Sequence, residues 1–155
     1  MPVEKTYTKA DAKAAMDRAN YNLFKQWRSV RSDLTNKQFA ALGKDVGHTF
    51  RHVDGTAELG KSTYENADVA AEVTMQLLNS AKGQDMLKRL DIASPDGSFM
   101  ENDPANRKIE APVSGDWYGT NGTGGGKAKI TRAACQVMKL GESTLWVHTS
   151  YPTAF

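Results

Sequence analysis

A disulfide within the chain is excluded by count alone, because the 155 residues hold one cysteine, Cys135. A zinc site built on several thiolates is excluded for the same reason. Cys135 lies in the run Ala133-Ala134-Cys135-Gln136-Val137-Met138 and is expected as a small core residue. No apolar stretch approaches the roughly 20 residues of a bilayer-spanning helix. Met1-Pro2-Val3-Glu4-Lys5 has no hydrophobic region of the signal-peptide type. No internal repeat is visible. Charge of one sign is also scarce: the net charge is +2, so bulk charge does not mark a polyanion binder.

What is present suits one domain with a real core. Charge is uneven along it. Residues 1–61 hold 11 basic and 7 acidic side chains, residues 62–106 hold 3 and 8, and residues 107–155 hold 6 and 3. If the two basic ends meet, they make a weakly positive cleft.

Thr8-Lys9-Ala10-Asp11 resembles a capping box with Asp in place of Glu. Ala12, Met16, Ala19, Leu23, Trp27 and Val30 then recur every three or four residues, which predicts a helix from about Lys9 to Arg31. Thr35 can cap a second helix bearing Phe39, Leu42 and Val46. Gly60 to Asn66 reads as a loop into a helix carrying Val69, Val73, Leu77 and Leu78. Lys82-Gly83 is expected to interrupt that helix, with a further helical stretch from Gln84 to Leu90. Residues 94–106 are turn-rich.

After Arg107 the pattern changes to strands: Lys108 to Val113, Asp116 to Thr120, Lys127 to Leu140 and Thr144 to Tyr151, with Gly141-Glu142-Ser143 as a hairpin connection. Helices first and antiparallel strands afterwards predict an α+β domain, with N-terminal helices packed on a C-terminal antiparallel sheet. On a regular last strand, Leu145, Val147, Thr149 and Tyr151 share one face, and Trp146, His148 and Ser150 the other. One face then runs from apolar side chains into two hydroxyls, as at the rim of a polar cleft.

Gly122-Thr123-Gly124-Gly125-Gly126-Lys127 resembles a phosphate-binding loop. It lacks Ser or Thr after the lysine and leads into a strand, so a hairpin loop is expected. His48 and His52 are four apart, a spacing that also suits a metal pair. No acidic residue stands between them and no third ligand suggests itself, so no metal is assigned. Cleaving RNA without a metal needs a base, an acid and donors or a cation for the phosphorane's charge. A cleft of His52, Lys61, Thr149 and Tyr151 would contain each part.

Three segments resemble the bacterial ribonuclease A-like toxin domains at the C-termini of contact-dependent growth inhibition proteins and related polymorphic toxins. Gly47-His48-Thr49-Phe50-Arg51-His52-Val53 resembles their "GHT…HV" signature. Ser62-Thr63-Tyr64 and the helix after it resemble their "SF…A" helix start, and Val147 to Pro152 their closing "LTAYP". The likeness spans about residues 44–155, leaving residues 1–43 as a helical lead-in to a single domain of residues 1–155.

The resemblance implies a metal-independent ribonuclease without cofactor, on a kidney-shaped ribonuclease A-like fold without disulfides. It implies His52 as the acid–base residue, with Thr149 and Tyr151 as hydroxyl partners. It also implies a monomer delivered from a larger secreted or cell-surface protein into the cytoplasm of a competing bacterium, and a tight cognate immunity protein, expected to be acidic. Two departures stand out. The family's basic residue after the histidine is absent, so Lys61 takes the phosphate-charge role, with Arg51 as fallback and Arg51 and Lys127 as substrate-binding cations. The interval from His48 to His52 is a residue short, which leaves open whether His48 does the chemistry or orients His52. A non-catalytic RNA-binding or adaptor domain, and a different toxin enzyme such as an ADP-ribosyltransferase, are the competing expectations.

Overall fold

The computed structural model describes residues 3–18, 62–93, 108–120, 127–139 and 145–155. Three helices are described: α1 (Lys9–Arg18), α2 (Ala67–Asn79) and α3 (Ala81–Ala93). Six strands accompany them: β1 (Thr63–Tyr64), β2 (Lys108–Pro112), β3 (Tyr118–Thr120), β4 (Ala128–Lys129), β5 (Arg132–Lys139) and β6 (Leu145–Ala154). They form two three-stranded antiparallel sheets, ordered β1-β3-β4 and β2-β5-β6. The α+β class is therefore as expected, but two sheets stand where one was anticipated.

Helix α1 starts on the expected reciprocal cap: the Asp11 N–H donates to Thr8 Oγ1 and the Thr8 N–H to Asp11 Oδ2. It buries Ala12, Ala15 and Met16. Its predicted continuation beyond Arg18, and the predicted helix around Phe39 to Val46, lie outside the described residues, as do the turn-rich segment 94–106 and the hairpin connection 141–143.

Helix α2 is capped by Asn66, whose side chain accepts the Val69 N–H at 2.9 Å. Its break falls at Ser80 rather than at Lys82-Gly83. The Ser80 hydroxyl donates to Leu77 O and accepts the Gly83 N–H, so one side chain closes α2 and opens α3. Gly83 sits inside α3 and is needed for closeness: a Cβ there would collide with the carbonyl oxygens of Leu77 and Leu78.

Two strand expectations also change. β1 arises within the expected loop, its Tyr64 paired with Gly119 of β3. The single strand expected from Lys127 to Leu140 is two. The Ile130 N–H bonds Trp117 O beside β3, and the next residue, Thr131, bonds Ala154 O and Val113 N–H in the other sheet. The chain thus crosses between sheets at a corner held by buried Ile130.

The core lies on one face of the β2-β5-β6 sheet. Ile109, Ala111, Ala133, Cys135, Val137, Leu145 and Val147 join one apolar cluster with residues of all three helices, among them Met16, Val73, Leu77 and Leu87. Burial there pushes the Cys135 thiol up to about 12, which leaves it an inert packing residue. No helix among the described residues is long and apolar enough to cross a membrane.

A charge pair is set into this core. The Lys139 side chain is fully buried, and its Nζ lies 2.9 Å from Asp91 Oδ1. Asp91 also accepts the backbone N–H groups of Val3 at 2.8 Å and Glu4 at 2.9 Å. A second strap holds the same segment, where Asn79 exchanges hydrogen bonds with the Tyr7 backbone. Desolvation raises the Asp91 carboxyl, but the two N–H groups and the Lys139 ammonium outweigh it and hold the group below its ordinary value.

Asp91→Ala leaves the buried Lys139 ammonium unmatched and should cost about 3 kcal/mol in denaturant unfolding at neutral pH. Because the folded carboxyl titrates below its ordinary value of 3.8, its contribution is complete above that pH. It is lost as pH falls through the folded value. The variant's stability should therefore fall less than the wild type's across that acid window.

Candidate functional site

The site begins with a fault in strand pairing. Gln136 of β5 pairs with Thr149, while the next residue, Val137, pairs with Val147. His148 is thus an extra residue on β6, a bulge that resets the alternation. The expectation of one face shared by Leu145, Val147, Thr149 and Tyr151 is corrected accordingly. Leu145 and Val147 face the helices together with Ser150, whereas Trp146, Thr149 and Tyr151 belong to the opposite face. Thr149 and Tyr151 do remain side by side.

Ser150 fixes that arrangement. Fully buried, its hydroxyl lies 2.9 Å from the Tyr64 hydroxyl and 2.8 Å from Thr74 Oγ1. Burial raises the pKa of the Tyr64 phenol, keeping it a neutral hydrogen-bonding group. With Ser150 tied inward to β1 and α2, its neighbours Thr149 and Tyr151 must turn outward.

Register then decides what they meet. Three rows cross the sheet: Lys108–Gln136–Thr149, Glu110–Ala134–Tyr151, and Pro112–Arg132–Ala154. At the middle of this grid stands the small side chain of Ala134, ringed by Lys108, Glu110, Arg132, Gln136, Thr149 and Tyr151. β2 and β6 lie two strand spacings apart, about 10 Å, a width that long side chains bridge. Lys108 does so: its ammonium lies 3.1 Å from Glu110 Oε1, and the Tyr151 phenol stands near enough to raise its pKa. Arg132 Nη2 stands 3.6 Å from Glu110 Oε2.

The electrostatics follow from these contacts. The hydrogen bond to Lys108 is the largest effect on Glu110, and with the Arg132 charge it holds the carboxyl below its usual range. Glu110 in turn raises the Lys108 ammonium, with Tyr151 adding to it. Thr149 is largely buried, while Lys108, Glu110, Arg132, Gln136 and Tyr151 are partly open to solvent. Two cations, one carboxylate, two hydroxyls and an amide on one face can hold an oxyanion such as a phosphate.

Of the residues expected from sequence, the described structure brings Thr149 and Tyr151 together. Lys127 precedes β4 of the other sheet, with its Nζ 2.8 Å from Glu65 Oε1. His48, Arg51, His52 and Lys61 lie outside the described residues, as do residues 122–126 of the glycine-rich loop. Lys108, Glu110, Arg132 and Gln136 were missed. Alternation in Lys108-Ile109-Glu110-Ala111 marks Lys108 and Glu110 as outward, but only the register shows that they face Tyr151. Among the described residues, no group of three or more His, Cys, Asp or Glu is placed to hold a metal ion. No protein-family model, curated protein or solved structure matches the chain.

Lys108→Met removes the largest influence lowering Glu110. In an NMR titration the Glu110 carboxyl should move to higher pH in that variant, while Asp91, on the core side, should not move.

Proposed function

We propose that the chain is a metal-independent ribonuclease toxin that cleaves RNA by acid–base transphosphorylation. The observation that carries this reading is the placement of Thr149 and Tyr151 on the same face of the β2-β5-β6 sheet as Lys108 and Arg132. A phosphodiester laid on that face meets two hydroxyl donors and two cations. These are the groups needed to stabilise the added negative charge of a pentacoordinate phosphate. Lys108, on the same face as Tyr151 and raised by it, becomes the first candidate for the phosphate-charge role first assigned to Lys61. His52 supplies acid–base chemistry, either alone or with His48 orienting or replacing it, because imidazole exchanges protons near neutrality.

The wider reading follows the motif resemblance. It includes the kidney-shaped ribonuclease A-like architecture, action as a monomer, delivery from a larger secreted or cell-surface protein into a target-cell cytoplasm, and neutralisation by an acidic immunity protein. Such a protein would find the Lys108 and Arg132 cations complementary.

Incubation of total RNA with the 155-residue chain should degrade it with EDTA present. Tyr151→Phe should slow cleavage by about 100-fold through loss of one donor, and His52→Ala by at least as much. Salt-sensitive RNA binding without cleavage products would instead mark an RNA-binding domain. NAD consumption without RNA loss would mark a transferase.

A further inference from the structure

The ring around Ala134 contains one proton acceptor suited to neutral water among its described side chains. Lys108 and Arg132 already carry their protons, and Gln136, Thr149 and Tyr151 are not bases at that pH. Glu110 is the remaining group. Its Oε1 is held by Lys108 and its Oε2 by Arg132, and the carboxylate is about one-third exposed, so lone pairs face solvent. Tyr151, on the neighbouring row of the same face, lies near enough to that ammonium to raise its pKa. Glu110 thus stands beside the ammonium that a phosphate on this face would engage, already oriented by two cations.

We infer that Glu110 is the catalytic base that accepts the proton of the attacking ribose 2′-hydroxyl. The inference rests on the ribonuclease reading above. As the 2′ oxygen bonds to phosphorus, its proton passes to a Glu110 oxygen. The bond from phosphorus to the 5′ oxygen then breaks, and its electron pair leaves with that oxygen. The leaving oxygen takes a proton from the acid that the reading assigns to His52. The products are a 2′,3′-cyclic phosphate and a 5′-hydroxyl end, with Glu110 protonated and the imidazole neutral. Exchange with water restores both.

A carboxylate base paired with an imidazolium acid has a distinct pH signature. The titratable groups facing Glu110 among the described residues are Lys108 on its own strand, Arg132 on β5, and Tyr151 on β6 through Lys108. The two cations keep Glu110 ionised into the acid range. Base and acid are then both in their working states below the ordinary imidazole value of about 6.5. Two imidazoles sharing the roles would instead lose rate on that side.

Steady-state cleavage of a short RNA, wild type against Glu110→Gln, tests the assignment. The variant should lose about 100-fold or more in kcat. Its KM, and its binding of the same oligonucleotide carrying a 2′-deoxy sugar at the cut site, should stay equal or tighten, because Lys108 and Arg132 are released from the carboxylate. Wild-type kcat should hold between about pH 6 and pH 5 and fall above about pH 6.5. Glu110→Asp, which keeps the carboxylate, should retain more activity than Glu110→Gln and reports on the carboxylate even if the amide variant folds poorly. Unchanged kcat in a folded Glu110→Gln, or wild-type kcat falling steadily from pH 6 to pH 5, overturns Glu110 as the base while the ribonuclease reading stands. A wild type that cleaves no RNA overturns both.

Discussion

The register of β6 against β5 is the constraint from which the site follows. One extra residue, His148, separates the Val147 pairing from the Thr149 pairing. Upstream of it the strand turns Leu145 and Val147 to the helices, and downstream it turns Ser150 there instead. The trio of Ser150, Tyr64 and Thr74 locks this phase, because a displaced Ser150 would leave buried hydroxyls on β1 and α2 without their partner. A one-residue slip exchanges the two faces of a strand. A polar network on the inner face therefore specifies which hydroxyls appear on the outer one.

The two faces of the same sheet handle charge differently. On the inner face, Lys139 is sealed from water and has Asp91, which two backbone N–H groups also satisfy. That carboxylate fastens the N-terminal segment, α3 and β5 together, and losing either partner leaves a costly orphan. On the outer face, Lys108, Glu110 and Arg132 are all partly solvated, so water weakens their attraction. Such pairs add little stability and can exchange partners at low cost. A phosphate can therefore compete for Lys108 and Arg132 in a way that nothing competes for Lys139.

Much of the fold was legible where one local signal decided it. The Thr8–Asp11 cap, the apolar spacing of α2 and the alternation in β2 each follow from neighbours a few residues apart. Gly83 misled because a helix-weakening residue was read without its surroundings, and its value lies in the close approach of α3 to the end of α2. β1 was invisible because two residues carry no periodicity and gain their conformation from β3. The site was half legible: Thr149 and Tyr151 are two apart, so any strand aligns them. Lys108 and Arg132 come from other strands, and only long-range register brings them to Tyr151.

The bulge itself has an energetic reason that the sequence contains but does not display. Leu145-Trp146-Val147-His148-Thr149-Ser150-Tyr151 cannot satisfy both faces as a regular strand. With Leu145 and Val147 inward, unbroken alternation would drive Thr149 and Tyr151 against an aliphatic helix surface and turn Ser150 away from Tyr64 and Thr74. Each buried hydroxyl left without a partner costs about 1–3 kcal/mol, and several would arise at once. One extra residue at His148 removes that conflict for the loss of local ladder regularity. The same adjustment places two hydroxyls on the face that carries Lys108, so the chemistry proposed for this face is a consequence of how the core resolves its own polar groups.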